Sequence, residues 1–109
     1  MKIGICANPD RWSIIADAGY DYVEGNFSKI TMASDEAFDE MKKIFDSTGL
    51  KMEATNGFFP GDFGLYSKEN FEAVKEKVRA YCEIGFSRGA ILGQKVAVIG
   101  SSGARNIRD

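Results

Sequence analysis

Side chains that can bind a small polar ligand follow each of the four apolar runs in this sequence. Asn8 follows "KIGIC", Glu24 closes "YDYVEG", Asn56 follows "LKMEAT", and Ser101 and Arg105 follow "KVAVIG". The chain has no histidine, so it lacks the usual acid–base residue at neutral pH and the commonest metal ligand. Any chemistry here therefore depends on carboxylate, amide, hydroxyl and guanidinium groups, which bind ligands chiefly by hydrogen bonding.

The apolar runs alternate with segments whose apolar residues recur at helical spacing. Each predicted helix begins after a capping side chain and ends near a glycine. Strict alternation predicts an α/β fold in which four parallel strands are joined by three right-handed helical crossovers. The predicted strands are Lys2–Cys6, Tyr20–Gly25, Leu50–Thr55 and Lys95–Gly100, and the predicted helices are Pro9–Ala18 with Asn8 as its cap, a helix from the Ser34 cap to Gly49, and one from the Ser67 cap to Gly93.

The carboxyl ends of parallel strands meet at one rim of an α/β fold, and ligands bind at that rim. We therefore predict that Glu24, Asn56, Ser101 and Arg105 lie on the same side of the sheet. Phe59, in the loop "NGFFPGDFGLY" after the third strand, is a fifth candidate, as part of an apolar lid. These five residues are the candidates for binding a ligand at this rim, and we predict no catalytic residue and no metal ligand in this chain.

Several of the residues that follow the predicted strands also have a purely structural interpretation. Asn8 is more simply a helix cap, and Asn56 with Gly57 forms a common turn pair. Glu24 closes an apolar strand, where a carboxylate needs partners, so a ligand and a structural salt bridge explain it equally well. Phe59 is more simply explained by packing of its loop against the core.

Two glycine-containing segments raise separate questions. "GSSGAR" is typical of a backbone nest for a phosphate, with Arg105 adding a bidentate contact, but it lacks the lysine of the Walker motif. "GICANPDR" lacks two of the three glycines of the dinucleotide-binding fingerprint. Gly85 and Gly89 lie inside the third helix, where each costs about 1 kcal/mol relative to alanine. We attribute them to a close approach between that helix and the sheet.

Size and composition fit one domain over residues 1–109, with 44% apolar and 28% charged residues. The net charge of −2 leaves no basic surplus for a phosphate backbone, which argues against nucleic-acid binding. The sequence has neither an apolar run that could cross a bilayer nor a signal-peptide core, so we expect a cytoplasmic protein with no membrane partner. Cys6 and Cys82 have no metal-ligand or redox spacing and are predicted to be reduced core residues.

Four segments occur in the order and spacing of one family: "MKIGICANPDRW", "AGYDYVEGN", "GLKMEATNGFFPGD" and "LGQKVAVIGSSGARN". Through them the chain resembles the N-terminal part of the sugar phosphate isomerase/epimerase family, the xylose isomerase-like TIM barrels. The resemblance runs along essentially the whole chain and rests most on "YVEGN", "NGFFPGD" and "GSSGARN". It implies half of a TIM (β/α)8 barrel and a fragment of a longer protein, because a complete barrel has eight strand–helix units and about 250 residues.

The resemblance also implies a function for the full-length parent, which would interconvert sugar or sugar phosphate isomers by metal-assisted proton transfer beside a carbonyl. The divalent metal of this family is held on later strands, so we expect no cofactor in this chain and no activity from it alone. The absence of histidine argues against the apurinic endonuclease branch. Carried over residue by residue, the substrate-facing positions are Glu24, Asn56, Phe59, Ser101 and Arg105.

Two other functions stay open on the sequence. One is a small stand-alone α/β domain that binds an anionic ligand with Arg105 and the glycine-rich turn. The other is a self-associating half-barrel without catalysis. A half-barrel leaves its first and fourth strands as unpaired edges and exposes apolar surface. We therefore expect a homodimer or higher oligomer that joins through these edge strands.

Overall fold

The computed structural model describes residues 1–67 and 69–107. Its strands are β1 (Gly4–Cys6), β2 (Tyr22–Asn26), β3 (Lys51–Asn56) and β4 (Val96–Ala97). They form one sheet in the order β1-β2-β3-β4, and every neighbouring pair is parallel. The α/β class with four parallel strands is thus confirmed. β4 is shorter than the predicted Lys95–Gly100, because only β3 pairs with it.

The described chain contains four α-helices, and the prediction of three is wrong. They are α1 (Trp12–Asp17), which follows a 3-10 turn at Pro9–Arg11, then α2 (Phe27–Met32), α3 (Asp35–Thr48) and α4 (Phe71–Leu92). The unpredicted element is α2, a six-residue helix that begins directly at the end of β2. The Asn26 side chain starts it by accepting a hydrogen bond from the Lys29 N–H.

The helix ends show which capping signals the fold uses. Ser34 caps α3 as predicted, since its hydroxyl accepts a hydrogen bond from the Ala37 N–H at 3.1 Å. Gly49 ends that helix in the left-handed conformation, with a φ of 76°. The prediction for Ser67 is wrong. Its hydroxyl accepts instead from the Asn70 N–H, and Asn70 is the residue that precedes α4.

All four helices contribute to the apolar core, which they form against one face of the sheet. Burial along β2 alternates residue by residue, so Val23 is buried while Glu24 on the other face is half-exposed. Trp12 stacks on Phe45 at 4.6 Å between ring centroids, which joins α1 to α3. The largest fully buried side chains are Trp12, Val23, Phe27, Ile30, Met52, Thr55, Phe58 and Leu92.

The long helix α4 makes its closest approach to another helix and not to the sheet, contrary to the sequence-based explanation. At Gly85 a Cβ atom would overlap the Phe27 ring and the Thr31 hydroxyl of α2. At Gly89 it would meet the Gln94 side chain, just beyond the end of α4. The helix glycines therefore make room for α2 and for the segment that leads into β4.

Candidate functional site

Three neighbouring strands bring polar side chains together at their carboxyl ends. Asn56 is the last residue of β3, and its side-chain amide donates to the Glu24 carboxylate of β2 at 3.2 Å. The same amide lies 3.3 Å from the Cys6 thiol of β1 as a second hydrogen-bond partner. Parallel pairing produces this arrangement, because it places Cys6 opposite Glu24, and Asn26 opposite Asn56.

These groups line an open cleft of about 280 Å³. The cleft lies on the face of the sheet that the helices leave uncovered, which explains why a carboxylate near the end of an apolar strand is tolerated. The Glu24 carboxylate is not completely buried and accepts a hydrogen bond from Asn56. It therefore needs no salt bridge at this position. The lining residues are Cys6, Ala7, Asn8, Glu24, Gly25, Asn26 and Asn56.

Asn8 belongs to this cleft. It stands at the predicted N-cap position directly before Pro9, but its side chain does not act as the cap. Its side chain makes no capping hydrogen bond to the turn at Pro9–Arg11. Its Oδ1 instead accepts from the Lys29 ammonium at 2.8 Å. Lys29 was not a candidate on the sequence, since α2 was not predicted. Through Asn8 it adds a cation beside a cleft whose lining carries the carboxylate of Glu24.

Cys6 is exposed, which corrects its prediction as a core residue. The reason is the period of two along a strand, since residues 4 and 6 point to the same uncovered face as Glu24. This alternation is the signal that could have placed the thiol in the site. Cys82 is half-buried in α4, and burial raises the pKa of its thiol.

Phe59 and Ser101 form a second group. Among the described residues, no hydrogen bond joins these two residues to those that line the cleft. The Ser101 hydroxyl accepts a hydrogen bond from the Phe59 N–H at 2.9 Å. The Phe59 ring packs beside Phe63 at 4.8 Å and Tyr81 at 5.4 Å between centroids. These contacts are those of a loop packed on the core. Tyr81 donates to the Phe58 carbonyl at 2.6 Å, and burial raises the pKa of Tyr81 to about 12.

Arg105 lies in the turn after β4, and its side chain joins neither group. Its N–H donates to the carbonyls of Ser101 and Ser102, while its side chain is exposed and makes no ion pair with another described residue. A small cleft of about 90 Å³ lies under this turn, but Arg105 does not line it. Asp62 does, and its negative charge disfavours an anion there. The lining residues are Gly61, Asp62, Gly64, Tyr66, Gly103 and Asn106.

The structure therefore joins two of the five predicted residues, Glu24 and Asn56, in one polar cleft. It pairs Phe59 with Ser101 elsewhere and leaves the Arg105 side chain outside both. Within residues 1–67 and 69–107, no three His, Cys, Asp or Glu side chains are grouped so that they could hold a metal ion. The cleft can bind neutral polar groups, because amides, a carboxylate and an ammonium donate to and accept from hydroxyls.

Comparison with protein-family models, with curated proteins and with solved structures finds no match in any of the three. The resemblance to sugar phosphate isomerases thus stays a prediction from the sequence. In the part of the chain that the structure describes, no helix combines the length and the apolar character needed to span a bilayer.

Proposed function

We propose that this chain is one half of a TIM-type barrel of the sugar phosphate isomerase/epimerase kind, and that its cleft binds hydroxyl groups of a sugar or sugar phosphate. The observation that carries the proposal is the hydrogen bond between Asn56 and Glu24 at the carboxyl ends of neighbouring parallel strands. This is where barrels of parallel strands bind their ligands. The family resemblance supplies the substrate class.

The strand order supports the half-barrel. Four parallel strands that follow one another both in sequence and in space are what one half of an eight-stranded barrel requires. The polar face of the sheet would then line the barrel interior, and the helices would form its outer layer. A carboxylate and an amide that already share a hydrogen bond are pre-organised for a pair of sugar hydroxyls, since each retains free acceptor or donor positions.

Each cleft residue has a separate task in this proposal. Glu24 accepts hydrogen bonds from hydroxyls, and Asn56 fixes the orientation of that carboxylate while its amide oxygen stays free. Lys29 holds Asn8 and places a positive charge at the cleft edge. The divalent metal that the resemblance implies for the complete barrel finds no ligand set among the described residues. We therefore assign no metal-dependent step to this chain and expect it to show no isomerase activity by itself.

A titration followed by NMR tests the proposal. Aldoses, ketoses and their phosphates are added separately to the 15N-labelled chain, with inorganic phosphate as a further arm. We expect shifts confined to the amides at residues 6–8, 24–26 and 56, and at least a tenfold loss of affinity in Glu24→Gln. Glu83→Gln, on the exposed side of α4, is the matched control and should bind as the unmodified chain does.

The titrations with sugar phosphates and with inorganic phosphate show where on the chain a phosphate group binds. Equal binding of a sugar and its phosphate places recognition on hydroxyls alone, and shifts at residues 101–105 with inorganic phosphate would transfer the site to the glycine-rich turn. Glu24→Gln that keeps full sugar affinity, or sugar shifts that avoid the cleft, would contradict the proposal.

A further inference from the structure

The two edge strands of the sheet have no neighbour on their outer sides within the described chain. Backbone pairing extends each edge beyond its strand bounds. The Ala7 N–H donates to the Glu24 carbonyl, and on the other side the N–H groups of Lys95 and Val98 donate to β3. Each edge therefore presents four or five extended residues that a further parallel strand could pair with.

Apolar side chains are exposed along both of these edges. Ile3 and Ile5 of the β1 edge are 53% and 38% exposed, and Val96 and Val98 of the β4 edge are 57% and 51% exposed. The uncovered face between the edges is polar instead, since it carries Glu24, the Asn56 amide and the Lys2–Glu53 pair. Apolar burial is thus available at the edges and not by packing two sheets face to face.

The chain also exposes more surface than a compact monomer of its size. Its radius of gyration is 15.2 Å, against about 13 Å for a globular domain of 100 residues. Its accessible surface is 6858 Å², whereas a monomer of this mass exposes about 6,000 Å². The excess is close to the roughly 800 Å² that each partner buries in a standard protein interface.

We propose that a second copy of this chain covers both edges, with β1 of each copy pairing in parallel with β4 of the other. A two-fold axis along the strands keeps all strands parallel and joins both pairs of edges at once. The result has eight strands, the number at which a barrel closes with its interior filled by side chains. Because closure consumes both edges, assembly stops at two copies, and two Glu24–Asn56 pairs then face one mouth.

Light scattering and sedimentation equilibrium test the assembly at chain concentrations from about 1 to about 100 µM. We expect twice the 12.0 kDa chain mass. Val98→Lys places a charge on one edge and should reduce the mass to that of one chain. Ile14→Lys is the matched control, because Ile14 is 60% exposed on α1 and lies on neither edge. It should leave the dimer intact.

Mixing two edge variants tests which edges meet. Ile5→Lys and Val98→Glu should each be monomeric, and an equimolar mixture should regain the dimer mass. In the mixed dimer one seam carries both introduced charges, which are opposite in sign, and the second seam joins two unchanged edges. Circular dichroism of each variant verifies that it is folded before mixing, and Ile3→Lys replaces Ile5→Lys if the latter is not. The proposal is overturned by a single-chain mass at 100 µM, by open-ended polymers, or by a mixture that stays monomeric.

This assembly is independent of the sugar ligand, so the two proposals fail separately. Glu24→Gln should weaken sugar binding at least tenfold and leave the mass unchanged, while Val98→Lys should change the mass and leave the cleft residues in place.

Discussion

Two buried threonines contrast an unpaired hydroxyl with a paired one. Thr55 in β3 is completely buried, and its hydroxyl has no hydrogen-bond partner among the described residues. Thr31 in α2 is almost as buried, but its hydroxyl donates to the Phe27 carbonyl at 2.7 Å. A buried hydroxyl without a partner loses its hydration and gains nothing in return, at a cost of about 1–3 kcal/mol.

We therefore expect Thr55→Val to raise the free energy of unfolding by about 1 kcal/mol, because valine keeps the shape and removes the unpaired oxygen. Thr31→Val removes a hydrogen bond that is made, so it should lower the free energy by about 1 kcal/mol. Urea unfolding of both variants measures the difference. Equal effects of the two changes would show that the Thr55 hydroxyl is satisfied in solution.

Gly85 provides a second test at the residue scale. Alanine normally stabilises a helix by about 1 kcal/mol over glycine, but at Gly85 the added methyl overlaps the Phe27 ring, which is itself fixed in the core. Overpacking of this kind costs about 1–3 kcal/mol, so Gly85→Ala should destabilise the protein. Gly89→Ala meets the end of the Gln94 side chain, which can move, and should change stability much less. Thermal unfolding of both variants checks the order; a Gly89→Ala that is the more damaging would contradict it.

The sequence predicts only the part of the site that follows from the alternation of strands and helices along the chain. Glu24 and Asn56 were found because each follows an apolar run whose parallel pairing brings the strand ends together. Cys6 was missed because its apolar neighbours favoured a buried position. Lys29 was missed because it acts from α2, whose existence depends on the Asn26 cap and on contacts distant in sequence.

At the scale of elements, Arg88 connects α4 to α2. Its guanidinium donates to the carbonyls of Ile30, Thr31 and Ala33, at the end of α2, and to the Asp35 carboxylate at the start of α3. These carbonyls end a helix of only six residues and would otherwise lack partners. The short helix is therefore held by a residue more than fifty positions away, which local sequence patterns do not reveal.

Arg88→Lys tests this connection, since an ammonium cannot reproduce the planar fork of donors. We expect a loss of about 1.5–3 kcal/mol, the range for hydrogen bonds to a charged group. Arg79→Lys is the control, because Arg79 makes a 3.4 Å exposed ion pair with Glu76 on the same helix, and such pairs contribute at most about 1 kcal/mol. Chemical denaturation compares them. Equal losses in the two variants would mean that the contacts of Arg88 do not hold α2.

At the scale of the whole molecule, one carboxylate connects both sides of an elongated chain of 50 × 26 × 21 Å. Glu53 of β3 accepts from the Lys2 ammonium at 2.7 Å and from the Lys95 ammonium at 3.2 Å. Lys2 precedes β1 and reaches over β2, while Lys95 precedes β4. Parallel order could be predicted from alternation along the chain, but this tie could not, because it depends on the irregular register beside Val23 and Glu24.

The tie predicts how stability depends on pH. The hydrogen bond from Lys2, with the charge of Lys95 beside it, holds the pKa of Glu53 below its ordinary value of 4.5. A carboxyl whose pKa is lower in the folded state stabilises the fold above pH 4.5 and loses this effect as the pH falls through the folded value. Glu53→Gln should therefore be less stable than the unmodified chain at about pH 7, and the two should converge as the pH falls below 4.5 and through the lowered pKa of Glu53. Glu40→Gln, which removes an exposed pair with Lys43 at 2.9 Å, should show almost no difference at either pH. Urea unfolding midpoints measured between about pH 3 and pH 7 test this prediction. If the midpoint of Glu53→Gln differs from that of the unmodified chain by the same amount at every pH, Glu53 is not held by the two lysines.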